Sequence, residues 1–133
     1  LACRIVFGTL GGKAMARQQI QVTLGVRFFS TACGNEPVRE WLKALERAER
    51  RAIGEEIKTV QFGWPLGMPL VRKMARDLWE IRIVLPTHNA RVLFTVVGDM
   101  MVLLHGFIKK SPATPSDDLD VTVARLKALT HAI

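Results

Sequence analysis

Two cysteines, Cys3 and Cys33, are the only thiols in 133 residues. That is too few for a disulfide scaffold and too few for a thiolate zinc site. The three histidines lack the i,i+4 or His-x-Glu spacing of a metal site, so no metal and no cofactor is expected. No Gly-x-Ser-x-Gly or Cys–His pattern offers a hydrolase nucleophile. Gly8-x-x-Gly11-Gly12 is not followed by the Gly-Lys-Ser/Thr of a phosphate loop. Long apolar runs are missing too. The most apolar stretch, Val92 to Ile108, is broken by Gly98-Asp99 and carries His105 near its end, whereas a membrane-spanning helix needs about 20 mostly apolar residues. The opening LACRIVFGTLGGKA has no solid apolar centre and no clear A-x-A site, which argues against a signal peptide. The expectation is a cytoplasmic protein with no membrane partner. Acids are scarce: 12 Asp plus Glu face 19 Lys plus Arg, a net charge of +7. Such an excess suits a polyanion, nucleic acid first, although an anionic membrane or an acidic protein would also fit.

Hydrophobic residues make up 49% and charged residues 23%, enough apolar surface for one folded domain and not a disordered chain. The first methionine is Met15, preceded by Gly11-Gly12-Lys13-Ala14. Two consecutive glycine codons can spell a purine-rich ribosome-binding site. Residues 1–14 are therefore expected to be a non-native or flexible leader and residues 15–133 the single domain.

Residues 20–29, IQVTLGVRFF, are β-branched and aromatic and read as a strand, with Gly25 as a candidate bulge. Asn35 or Glu36 then caps a helix that tolerates Pro37 in its first turn. Val38, Trp41, Leu42 and Leu45 form an i, i+3, i+4, i+7 stripe. Ile53, Ile57 and Val60 continue it slightly out of phase. The reading is two helices, about 36–46 and 48–62, packed as a hairpin, with one bent helix as the alternative. Between Glu36 and Lys58 six acids balance six bases, so the positive excess lies elsewhere. After the Gly63–Pro69 loop come strand-like runs at 78–85, 90–97 and 100–108. Their short connections, Pro86–Asn89 and Gly98-Asp99, predict an antiparallel meander. A closing helix follows at 117–131, with Leu119, Val123, Leu126 and Ala128 or Leu129 apolar. The fold class is α+β: a helical hairpin on a twisted antiparallel sheet of about four strands, with a short C-terminal helix.

Strand parity assigns faces. If Leu85 pairs with Ala90, then Glu80, Arg82 and Arg91 share one face. Trp79, Ile81, Ile83 and Leu85 share the other, which is the better core face. A two-residue Gly98-Asp99 turn places Gly106, Ile108 and Lys110 with the arginines and His105 and Phe107 in the core. One bulge would reverse that last placement. The product is a basic cluster of Arg82, Arg91 and Lys110, with a solvated sheet surface as the plain alternative. By pattern, His105 is a hydrogen-bonded core histidine more readily than a catalyst.

Five blocks occur in order: EPVREWLKAL, IGEEIKTVQFGWPLGMPLVRKM, LWEIRI, ARVLFTVV and VLLHGFIKKSPATP. Together they resemble the phage-derived HigB-like toxins, a branch of the RelE/ParE toxin superfamily, over about residues 20–130. The resemblance implies a small α+β toxin of a type II toxin–antitoxin system. RelE-type members cut messenger RNA in the ribosomal decoding site, and a helix-turn-helix antitoxin, HigA-like here, neutralises them. Arg82 of LWEIR and Arg91 of ARVLF match basic active-site positions, and Lys109 and Lys110 match the basic end of the last strand. The chain departs from the RelE pattern at Glu80, often a lysine, and in having no tyrosine, which leaves the general base unassigned. ParE-like relatives poison DNA gyrase instead. A gyrase inhibitor and an inactive RNA-binding prophage remnant are therefore the alternative functions.

For metal-free cleavage by the ribose 2′-hydroxyl, fixed guanidinium groups suit the dianionic phosphorane. Arg82 and Arg91 are assigned to the phosphate, and Lys110, with Lys109, to the backbone or to proton donation. Glu80 serves as base or orients Arg82. His105 is a second acid–base candidate if a bulge turns it outward. Arg72, Lys73 and Arg76 extend the expected RNA-binding surface.

Overall fold

The computed structural model describes residues 23–110 and 115–132. The expected leader at 1–14, Met15 and the first residues of the 20–29 run lie outside the described residues. The elements are β1 (Gly25–Phe28), α1 (Pro37–Ala44), α2 (Arg47–Gly63), β2 (Val71–Ala75), β3 (Leu78–Val84), β4 (Asn89–Val97), β5 (Met100–Lys109) and α3 (Ser116–Ala132).

Two helices form where the stripes predict, but the expected hairpin is only roughly matched: α1 lies on β5 and β1 and α2 on β3. The break between them needs neither glycine nor proline. Leu45 turns extended after α1. Arg50 then reaches back and donates from Nη1 to the carbonyls of Lys43 at 3.3 Å and Leu45 at 3.4 Å. One α2 side chain thus satisfies carbonyls that the end of α1 leaves open. Glu36 holds the N-cap position, but its carboxylate pairs with Arg39 at 3.2 Å instead of capping.

The sheet has five strands in the order β1-β5-β4-β3-β2. The β3–β4–β5 meander is antiparallel, as expected. Two features correct the four-strand antiparallel expectation. Residues 71–75, VRKMA, form an added antiparallel edge strand, and β1 lies parallel to β5 on the other edge. The sheet is therefore mixed and open. Gly98, at φ 62°, makes the predicted tight turn between β4 and β5.

The β3–β4 register differs from expectation by two residues: Ile83 pairs with Ala90 and Arg82 with Arg91. The Leu85 amide closes a turn onto the His88 carbonyl at 2.9 Å instead of pairing with Ala90. A two-residue slip preserves every face, so Trp79, Ile81, Ile83 and Leu85 do face the helical hairpin. There they pack with Ile53, Ile57 and Val60. Trp64 meets Trp79 edge-on with ring centroids 5.1 Å apart. On the other face α3 lays Leu119, Leu126 and Leu129 against Leu93, Leu104 and Phe107. Val123, expected in that stripe, is exposed.

One expectation reverses. Leu103 pairs with Phe94 but His105 pairs with Leu93, so β5 carries Leu104 as an inserted residue. Beyond such a bulge the alternation flips. His105, Phe107 and Lys109 share the Arg82/Arg91 face, and Gly106 and Ile108 turn to the helical hairpin. Gly106 sits directly beneath Trp41, where an added Cβ would collide with the ring. Among the described residues, no helix is long and apolar enough to cross a membrane.

Candidate functional site

Four strands contribute one ladder of charged side chains. Arg72 of β2 lies opposite Glu80 of β3, and Arg82 of β3 lies opposite Arg91 of β4. Phe107 of β5 follows opposite Arg91, and Lys109 lies opposite Asn89. Like charges directly across a ladder repel. Glu80 relieves part of that: its Oε1 lies 3.7 Å from Arg91 Nε, along the diagonal between β3 and β4.

Burial of this pair sets aside, at these two positions, the plain alternative of a solvated sheet surface. Glu80 is 1% exposed and Arg91 4%. Arg91 donates from Nη1 to the Ala90 carbonyl at 2.9 Å, while its Nε is buried without a hydrogen-bond partner. Burial pushes the Arg91 pKa down, Glu80 opposes this, and Arg82 and Arg72 push the same way as burial. Lys109 responds to the same groups. Burial lowers its pKa first and Arg91 next; Glu80 opposes, and Arg82 and Arg72 lower it further. Arg72, Arg82, Arg91 and Lys109 thus sense one another around a single carboxylate, a formal surplus of three positive charges.

Arg82 is more open. Its Nη1 lies 3.8 Å from Met68 Sδ, and it lines a shallow concavity of about 450 Å³ with Glu56, Pro69, Leu70, Val84, Asn89 and Arg91. Arg82 at the rim and the largely buried Arg91 both line this hollow, and guanidinium groups suit a phosphate through paired donors. The carboxylate of Glu56 and the amide of Asn89 give the same hollow hydrogen-bonding groups suited to a nucleobase.

The remaining expected site residues separate. Lys110 lies past the end of β5 and is exposed. Lys73 belongs to the other face, where its Nζ sits 5.6 Å over the Trp79 ring. Arg76 occupies the β2–β3 turn, exposed, 4.0 Å from Asp77. His105 shares the ladder's face but is engaged at both nitrogens: Nε2 lies 2.6 Å from Asp118 Oδ1, and Arg125 Nη1 lies 3.3 Å from Nδ1. Arginine only donates, so Nδ1 accepts and Nε2 carries the proton. Both ring nitrogens of His105 are therefore engaged by α3. Asp118 and Arg125 were not singled out from sequence. Their seven-residue spacing, two helical turns, puts them on one face of α3, and that spacing was the available signal. Among the described residues, no three His, Cys, Asp or Glu side chains gather as a metal site.

A family model for phage-derived Gp49-like proteins (DUF891) matches residues 40–127, well over half of the 133-residue chain. The chain belongs to the Gp49-like family. This is a family of RelE/HigB-like toxins, and a toxin of that kind implies an antitoxin partner. No curated protein matches the chain. The Gp49-like match runs from α1 into α3 and takes in every residue of the charged ladder.

Proposed function

We propose that this Gp49-like protein is the HigB-like toxin of a type II toxin–antitoxin pair and cleaves messenger RNA on the ribosome by metal-free attack of a ribose 2′-hydroxyl. The observation that carries the reading is the ladder itself: Arg82 opposite Arg91, with Lys109 on the same face and Glu80 as the single carboxylate. Such a surplus suits a phosphate that gains charge in its transition state.

In the proposed reaction the 2′-oxygen bonds to the adjacent phosphorus and its proton passes to water. The bond from phosphorus to the 5′-oxygen breaks, leaving a 2′,3′-cyclic phosphate and a 5′-hydroxyl. Arg82 and Arg91 hold the phosphorane oxygens. Lys109, whose ammonium is made more acidic by its surroundings, gives the proton to the 5′-oxygen. Glu80 pairs with Arg91 and so orients that guanidinium. Lys110, Arg72 and Arg76 contribute longer-range attraction to RNA, and Lys73 contributes it from the opposite face. With no tyrosine in the chain, substrate positioning on the ribosome supplies much of the rate. A HigA-like helix-turn-helix antitoxin would neutralise the toxin in the cytoplasm.

Primer extension on cellular messenger RNA after brief expression tests the reading. Ribosome-dependent cuts with 5′-hydroxyl ends are expected. DNA damage without cuts would replace the nuclease by a ParE-like gyrase inhibitor, and neither effect would mark an inactive RNA-binding remnant.

A further inference from the structure

The place of Lys109 depends on one inserted residue. Because Leu104 interrupts the β4–β5 ladder, Phe107 lies opposite Arg91 and Lys109 opposite Asn89, both on the guanidinium face. With strict alternation through Leu104, Gly106 and Ile108 would take those places and Lys109 would face the helical hairpin.

The bulge is gripped from α3. Arg125 donates from Nη1 to the Leu104 carbonyl at 2.8 Å and faces Nδ1 of the next residue, His105, at 3.3 Å. The other ring nitrogen of His105 donates to Asp118 at 2.6 Å. The Arg125 guanidinium also lies over the Phe29 ring, 5.9 Å from its centre. From the opposite face Trp41 closes on Gly106, with space for no side chain there. The alternate parity would drive His105 and Phe107 toward that tryptophan.

We infer that Arg125 is a positioning residue: by holding the Leu104 bulge it sets the parity that brings Lys109 beside Arg82 and Arg91. The bulge stands on geometry alone, whereas its consequence for catalysis rests on the nuclease reading above.

Nuclear magnetic resonance on the full chain, with cleavage measured in parallel, tests this. In Arg125→Met, amide exchange from His105 to Lys109 is expected to accelerate about tenfold relative to Val92–Phe94. The Asn89–Lys109 cross-strand contact should weaken, and cleavage at saturating ribosomes should fall about tenfold with ribosome affinity unchanged. Arg125→Lys can reach the Leu104 oxygen but not His105 as well. It should bring exchange and cleavage back to within about threefold of the parent. If Arg125→Met does not fold, the roughly twofold to threefold rise in exchange expected of Arg125→Lys carries the test. Parent-like exchange and an intact Asn89–Lys109 contact in Arg125→Met, or in Arg125→Lys where it alone folds, would overturn the clamp. A loosened bulge with undiminished cleavage would overturn the positioning role. A parent protein that cuts no RNA would reject the nuclease reading, while the exchange result still decides the clamp.

Discussion

Two polar clusters share one face of the sheet and are built to opposite rules. Under α3, donors and acceptors match: Arg125 serves the Leu104 carbonyl and His105, and His105 serves Asp118. Along the charged ladder they do not. Arg72, Arg82, Arg91 and Lys109 gather around Glu80, and Arg91 Nε is buried without a hydrogen bond. A matched network holds two elements together and gains nothing from a ligand. A cationic surplus raises the free energy of the empty protein and is relieved when an anion arrives. On that difference the first cluster reads as architecture, and the second is the one we propose for binding.

The comparison breaks most visibly at Glu80. Glu80→Ala leaves a buried Arg91 among like charges, and removing one partner of a buried pair costs about 3–5 kcal/mol. That is a large share of a small domain's stability. A chemical denaturation series should show the loss, and added polyphosphate should restore part of it by supplying the missing negative charge. A loss below about 1 kcal/mol would show that Glu80 does not hold the ladder together.

The two arginines, alike in sequence, should separate in experiment. Arg82 is half-exposed at the rim, so Arg82→Ala should keep its fold and lose about 100- to 1000-fold in cleavage, roughly 3–4 kcal/mol. Arg91→Ala should lose similar activity and also melt earlier, because it removes a buried guanidinium that pairs with the buried Glu80. Equal melting temperatures for both variants and the parent would contradict the burial of Arg91 as the distinguishing feature.

Most of the meander was legible because turns and period-two alternation are local signals. A register error of two residues did no harm, since it returns each side chain to its own face. The parallel β1–β5 pair was not legible, because no tight turn marks a pairing between residues so far apart. Strand β2 was hidden by Arg72-Lys73 and by its irregular pairing near Lys73/Ala75; it buries only Val71. The Leu104 bulge left no periodic trace, but Gly106 within a strand hinted at a close approach, here by Trp41. Parity put Arg82 and Arg91 on one face, as the structure has them. It could not foresee that they differ in burial, which depends on neighbours brought from β2 and β5.

A smaller effect is expected in the pH dependence of cleavage. Burial, Arg91, Arg82 and Arg72 together hold the Lys109 pKa below its ordinary 10.5, with Glu80 opposing. A proton donor is spent once it titrates, so the rate should fall with rising pH along an alkaline limb below the ordinary lysine range. The linked stability runs the other way. Between the folded pKa and the unfolded one, the unfolded chain binds more protons, so stability rises with pH there. Arg72→Gln should move the limb toward higher pH by weakening one repulsion, and Lys109→Arg should abolish it. Single-turnover cleavage across pH would show both, and a limb unmoved by either variant would take the proton donor away from Lys109.

The finest distinction lies between neighbouring lysines. Lys109 belongs to the ladder, opposite Asn89, whereas Lys110 stands exposed past the end of β5. An exposed lysine attracts phosphate through released counterions without arranging the reacting atoms. Lys110→Glu should therefore weaken ribosome association at low salt. It should flatten the plot of log affinity against log salt by about 0.7 for each phosphate no longer neutralised, and leave the cleavage rate of the bound complex unchanged. Lys109→Gln should do the converse, leaving the slope nearly unaltered while the bound complex cleaves slowly. Sedimentation with ribosomes over a salt series, followed by cleavage at saturation, separates the two. If both variants lose slope and neither loses rate, the ladder binds RNA through its outer lysines alone, and Lys109 has no part in the proton transfer.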